Sequence, residues 1–361
     1  MKRPRAKRGL TIFYLTDSGR RVAEALSEGF GGAELIRGHL DRLPEMWLDR
    51  EALIFVMAAG IVVRLVAPLV RDKALDPAVV VVDEKGEFAV ALLSGHIGGA
   101  NELAKAAAGI TGGTSVITTS SDVNGFPALD LMAMDLGLVI EDSKSLTEAM
   151  VAFLSGEGLS IYSDFNLGHW QAEFERAGAE VLPEGDYWSF ADASQAQESD
   201  RCARKKSVLV TEKSIDGTGA TVLRPRCLWF GVGCRKGVAK EEVLDAVDMA
   251  AKKAGVSMLS LAGMATIDNK AAESGLIEAA MELGARLKLY AAKELESAVA
   301  KMKNGRATPS LSRFVKDTVG VGSVCEAASI LASGMGSRVL PKSTFGRVTV
   351  AIAKANWRSS A

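Results

Sequence analysis

The segment running from Phe88 to Glu102 constrains the fold most. Residues 88–93 form an apolar run of strand length, and the alanine-rich residues 100–108 predict a helix closed by Gly109. Between them lie Ser94, Gly95, His96, Ile97, Gly98 and Gly99. A strand-to-helix turn of this kind belongs to a layered α/β sheet and lies at the edge where ligands bind. Glycines there let the backbone approach a ligand and adopt φ > 0. The first free N–H groups of the helix would face that ligand and favour an anion. Asn101 and Glu102 fall on the first helical turn beside His96. The stretch therefore offers a general base, an anion cradle and two polar side chains. A tight turn holding a hydrogen-bonded histidine accounts for the same residues.

Apolar strand-length runs alternate with helical periods along much of the chain. Strands are predicted at 10–15, 53–58, 79–82, 88–93 and 115–119, with Asp17 or Ser18 capping a helix from Arg20. Residues 83–86 read as a hairpin turn. The apolar stretch 52–70 contains Arg64 and Pro68 and is divided by Gly60, so it reads as a buried strand, a turn and a helix rather than a membrane span. The fold class is α/β and multidomain: an N-terminal α/β layered domain at 9–138, a smaller middle domain and linker at 139–226, and a C-terminal α/β layered domain at 227–357. Within the middle region a helix at 143–154, capped by Asp142 or Ser143, and strands at 159–162 and 208–210 are predicted, and the polar residues 186–206 read as an exposed loop. In the last domain, a strand at 228–232 is followed by the turn 231–237.

A net charge of −1 over 361 residues gives no bias towards nucleic acid or a membrane surface. Four cysteines without a Cys-x-x-Cys pair, and three scattered histidines, argue against a protein-built metal site and fit a reducing cytoplasm. The glycines at 231, 233 and 237 have the spacing of some NADP-binding turns, which suggests an oxidoreductase; a tight turn with solvated cations explains them too. Arg64, Lys73, Arg235, Lys236 and Lys270 are cations at loop or edge positions, suited to a ligand with several carboxylates. Asp122 follows a strand at the expected ligand edge, and Glu273 opens a helix. Cys234 lies beside two cations that would lower its pKa, although a buried inert thiol suits it as well. Ser323 and Glu326 match a capping box.

These motifs together resemble a known family. Gly60-Ile61, Arg64, Ala67-Pro68, Asp72-Lys73, Asp76-Pro77, Ser94-Gly95-His96, Gly98-Gly99-Ala100-Asn101 and Thr118-Thr119 resemble the N-terminal half of the cobalamin-biosynthesis G-type proteins, the cobalt-precorrin-5A hydrolases. The run 231–237, with Lys270, Glu273, Gly275-Leu276, Ser312, Phe314-Val315, Gly320-Val321, Cys325-Glu326 and Lys342, is similar to their C-terminal domain. The resemblance implies opening of the ring-A δ-lactone of a cobalt tetrapyrrole, with release of acetaldehyde to give cobalt-precorrin-5B. The cobalt then comes with the substrate, and no resident cofactor is needed. The resemblance does not name the catalytic residues; the chemistry of the turn makes His96 the general base or proton shuttle, with Asn101 or Glu102 orienting His96 or the water. Backbone N–H groups at Gly98 and Gly99 would bind the lactone oxyanion or a carboxylate, and Ser94, Gly95, Arg64, Lys73, Asp122, Gly233, Cys234, Arg235, Lys236, Lys270, Glu273 and Ser323 would contact the polycarboxylate macrocycle. The expected partner is this corrinoid, with no nucleic acid or membrane, and a homodimer is open. A tetrapyrrole methyltransferase or NADP enzyme, and a non-catalytic tetrapyrrole carrier, remain alternatives.

Overall fold

The computed structural model describes residues 8–72, 75–96, 98–187, 206–215, 219–303 and 324–356. Lys73, Ser323, the motif residues 312–315 and 320–321, and most of the 186–206 stretch lie outside them. The chain divides into two compact units, Met1–Leu131 and Met132–Ala361.

The first unit is built on one sheet of order β2-β1-β3-β4-β5-β6. Its strands are β1 (Arg8–Tyr14), β2 (Glu34–Arg37), β3 (Arg50–Val56), β4 (Ala78–Val82), β5 (Phe88–Leu93) and β6 (Thr114–Val116). Strands β1 to β4 are mutually parallel. Every residue of β4 is buried, as a strand covered on both faces requires. Alternation divides the apolar side chains between two cores. Ile54, Val80 and Val82 pack with Ala23 and Leu26 of α1 (Asp17–Gly29) and with Ala104 of α4 (Ala100–Thr111). Phe55, Val79 and Val81 pack with Trp47 of α2 (Leu43–Asp49) and with Val62 and Val66 of α3 (Ala59–Val66). Phe13 stacks on Phe55 with ring centroids 5.1 Å apart. Two short helices, α5 (Ser120–Asn124) and α6 (Leu129–Asp135), follow β6.

The expected hairpin turn reverses the chain after β4. The Asp83 carboxylate accepts N–H bonds from Lys85 (2.8 Å) and Phe88 (2.6 Å), and β5 pairs antiparallel with β4. The turn that follows β5 therefore lies at the opposite end of the sheet from the turns after β1, β3 and β4. Two local expectations change, and one unassigned region gains structure. Helix α1 is capped by Thr16, whose Oγ1 accepts the Gly19 N–H at 3.0 Å, because the helix already begins at Asp17. Helix α4 runs past Gly109, with Ile110 against the core and Gly112 as the left-handed cap at φ 73°. Strand β2 and helix α2 fill a region for which the sequence predicts nothing.

The second unit holds two sheets. One has the order β7-β11-β10-β8-β9, from β7 (Leu138–Ile140), β8 (Leu159–Ser163), β9 (Glu180–Leu182), β10 (Lys206–Val210) and β11 (Thr221–Pro225). Helix α7 (Ser143–Leu154) is capped by Asp142, and α8 (His169–Arg176) follows β8. The other has the order β14-β13-β12-β16-β15, from β12 (Leu228–Cys234), β13 (Leu261–Ile267), β14 (Arg286–Tyr290), β15 (Ser337–Phe345) and β16 (Val348–Lys354). Its helices are α9 (Lys240–Ala254), α10 (Ser274–Glu282), α11 (Ala292–Lys303) and α12 (Val324–Ala332).

The glycine pair at 231 and 233 is not a turn. Both residues lie inside β12, which continues to Cys234. A Cβ at Gly231 would sit 1.8 Å from the Cys325 carbonyl oxygen, so the glycine exists to let α12 lie directly on the strand. A Cβ at Gly233 would meet Thr349 Oγ1 at 2.7 Å. The chain turns only afterwards, with Gly237 at φ 68°.

Candidate functional site

The turn after β5 folds tightly onto itself. Ser94 adopts φ 57°, an uncommon conformation for a residue with a side chain. A Cβ on Gly98 would lie 2.3 Å from Ser94 Cβ, and one on Gly95 would lie 2.7 Å from Asn101 Oδ1. Gly99 takes φ 83° as the first residue before α4. The amides here point inward: Gly99 N–H donates to the His96 carbonyl (2.9 Å), Ala100 N–H to Ser94 (3.1 Å) and Asn101 N–H to Gly95 (3.0 Å). The expected anion cradle is therefore largely consumed by the turn's own carbonyls, and the glycines here answer to steric crowding.

This turn projects His96 between two carboxylates. His96 Nε2 lies 2.7 Å from Asp122 Oδ2, and Nδ1 lies 3.3 Å from Asp130 Oδ1. Ser121 Oγ is 3.1 Å from the same Nε2. Asn101 donates through Nδ2 to Asp122 Oδ2 (2.9 Å) and to Thr119 Oγ1 (3.0 Å). The amide orientation follows from the carboxylate, which only accepts. Asn101 is buried, whereas the side chains of His96, Asp130 and Asp122 retain 13%, 15% and 26% exposure. Asp130 hydrogen bonding pushes the His96 pKa up, burial opposes it, and Asp122 adds to the rise; the net direction is upward. Asp76 buttresses the turn from beneath. Its carboxylate accepts from Trp47 Nε1 (3.1 Å) and from the amides of Arg71 (2.8 Å) and Asp72 (3.0 Å). Its carbonyl accepts the Ser94 hydroxyl at 3.3 Å.

The structure thus brings Ser94, Gly95, His96, Gly98, Gly99, Asn101 and Asp122 together. Glu102 is elsewhere, 78% exposed and paired with Lys105 at 2.6 Å. Arg64 donates to the Gly60 carbonyl at 2.8 Å, on the first turn of α3 at the other end of the sheet. Sequence reasoning missed Asp130 and Ser121. Asp130 sits on a short helix between apolar neighbours and matches no motif; its only sequence signal is a charge beside the buried Leu129 and Met132.

A second group of predicted residues meets at the end of β12 and β13. Lys270 Nζ lies 3.1 Å from Glu273 Oε1, and Glu273 Oε2 accepts the Gly237 N–H at 2.9 Å. That amide, then Lys270, holds the Glu273 carboxyl below its usual range. Arg347 donates to the Lys236 carbonyl at 2.9 Å, and Arg235 N–H bonds the Arg347 carbonyl. Cys234 is half-buried, and burial pushes its thiol up although Lys270 pulls the other way, so it is not the activated thiolate that its cationic neighbours suggested. The fully buried Glu326 accepts the Lys342 N–H at 2.8 Å. Among the described residues no group of three or more His, Cys, Asp or Glu side chains has the arrangement of a metal site.

Residues 41–122 match the family model described as cobalamin synthesis G N-terminal, and residues 228–353 match that described as cobalamin synthesis G C-terminus. A Salmonella typhimurium protein named cobalt-precorrin-5A hydrolase is 32% identical over 342 residues, which is 90% of this chain and 92% of the relative. This chain belongs to the cobalamin synthesis G family. A second member, the cobalt-precorrin-5A hydrolase of Priestia megaterium, is 30% identical over 86% of this chain and 80% of its own length. A cobalamin biosynthesis protein G homolog of known structure from Sulfolobus solfataricus is 20% identical, covers 97% of both chains and gives a TM-score of 0.38. In this family member the N-terminal match contains His96, Asn101 and Asp122 and stops short of Asp130. No helix among the described residues is long and apolar enough to cross a membrane.

Proposed function

We propose that this chain is a cobalt-precorrin-5A hydrolase. The observation that carries the reading is the identity of 30–32% to two proteins of that name over most of both chains. The His96 cluster supports it, since hydrolysis needs a group that accepts a proton from water and a polar setting for developing charge. In finer detail, water opens the ring-A δ-lactone, and the methylated meso carbon leaves as acetaldehyde. The macrocycle carries its own cobalt as part of the substrate, so the chain's residues need only bind, orient and move protons. The reaction would run in the cytoplasm without a resident cofactor.

The test is incubation of the purified chain with cobalt-precorrin-5A under anaerobic conditions, followed by acetaldehyde assay and mass analysis of the macrocycle. Acetaldehyde without any added nucleotide is expected. A requirement for a nicotinamide or methyl donor would instead indicate the oxidoreductase or methyltransferase alternative. Binding with the lactone intact would indicate a carrier.

A further inference from the structure

Both nitrogens of His96 face carboxylate oxygens, at 2.7 Å and 3.3 Å. A carboxylate only accepts, so the arrangement asks for a proton on each ring nitrogen. A neutral ring would turn one lone pair towards an anion. A general base needs an open lone pair, and a clamped imidazolium has none. Asp122 is differently placed. Its Oδ2 receives both His96 and Asn101, while its Oδ1 accepts no hydrogen bond among the described residues. Its side chain is also the most exposed of the three. Two carboxylates and one imidazolium leave one negative charge, and Asp122 presents it to solvent.

We infer that in the lactone-opening step Asp122 Oδ1 takes the proton of the attacking water, while His96 remains an imidazolium whose charge is set by Asp130. This rests on the hydrolase reading above. The water oxygen bonds to the lactone carbonyl carbon as its proton passes to Asp122. The ring C–O bond then breaks, its electron pair leaves on the alkoxide, and the alkoxide takes that proton back. Water is consumed, a hydroxy acid forms, and Asp122 is regenerated. His96 holds Asp122 Oδ2 and its positive charge offsets the charge that develops nearby. Asp130 is a positioning residue, acting through His96. The charged groups that act on His96 are Asp122 from α5 and Asp130 from α6; Lys105 on α4 acts on Asp122.

The experiment is the pH dependence of lactone opening by the full chain, followed by mass, for wild type, Asp122→Asn and Asp130→Asn. It is read beside NMR titration of His96, one of three histidines. Circular dichroism and urea unfolding report that each variant is folded. The expected wild-type rate falls on the alkaline side as His96 loses its proton. Asp130→Asn moves both the His96 titration and that alkaline limb down by about one pH unit. Asp122→Asn lowers the rate by about 10²–10⁴-fold. A rate that rises through the His96 titration overturns the inference, as does Asp122→Asn turning over like wild type. So does a shift of the His96 titration in Asp130→Asn that leaves the alkaline limb in place. A folded wild-type chain that opens no lactone overturns the hydrolase reading, and this inference with it.

Discussion

Five strands of the first sheet and the five of the second share one spatial order and use it differently. In each, four parallel strands run in the order second, first, third, fourth, and an antiparallel strand lies beside the fourth: β2-β1-β3-β4-β5 in one, β9-β8-β10-β11-β7 in the other. In such sheets the crevice between the first and third strands is where ligands bind. In the first sheet that crevice is open. Leu15, Met57, Ile61 and Phe88 line a cleft of about 560 Å³ rimmed by Asp83 and Glu84. In the second it is plugged. The buried Glu184 accepts the Thr211 hydroxyl at 3.0 Å and pairs with Lys213 at 2.9 Å. Arg224, also buried, ties down the Thr211 carbonyl at 3.1 Å and pairs with Glu141 at 2.6 Å. The His96 cluster lies in neither crevice. It exists because β5 comes after β4 and reverses direction, carrying its helix-starting turn to the far end; β7 precedes its sheet and brings no such turn. Topology fixes where a site is possible, and chain order with side-chain chemistry decides where one is built.

The largest test of this contrast is Arg224→Ala. It leaves the Thr211 and Lys213 carbonyls without their donor and empties the space of a fully buried side chain, and should cost about 2–5 kcal/mol in urea unfolding of the second unit. Next, Gly98→Ala forces a methyl into Ser94 and should cost about 1–3 kcal/mol of stability in the first unit, with loss of turnover. The His96 clamp should appear in the pH dependence of stability. Because the folded pKa is raised, its stabilisation is complete below about pH 6.5 and is lost as pH rises through the folded value. Each tenfold gain in the ring's proton affinity on folding is worth about 1.4 kcal/mol. Urea midpoints of wild type should therefore fall across that alkaline range, whereas those of His96→Gln should not. Thr16→Ala removes the cap of α1 at the open crevice and should cost about 1 kcal/mol. Smallest of all, Glu102→Ala breaks only an exposed pair; stability should change by less than about 0.5 kcal/mol and acetaldehyde release should stay near wild type. A large loss of turnover would return Glu102 to the site.

The alternation of strands and helices was legible because long apolar runs such as those at β3 and β4 can only be buried. The Asp142 cap was legible for the same local reason: an acid followed by a clean helical period. Segments such as β2, β7 and β9 were not, since three or four residues carry no period. The 231–233 glycines misled because close packing and tight turning leave the same trace in a sequence. What distinguishes them is α12, which arrives from far along the chain. His96, Asn101 and Asp122 were visible as chemistry-bearing residues beside a turn, but which nitrogen meets which oxygen depends on α6, and a lone aspartate there announces nothing.

That dependence bears on how the protein can be dissected. A fragment trimmed to the family-model match would end at residue 122 and carry off a histidine with one ionic companion in place of two. Its proton affinity would drop, and so would the meaning of any activity measured on it. A graft or truncation that hopes to keep the native protonation must reach through Asp135, where α6 ends.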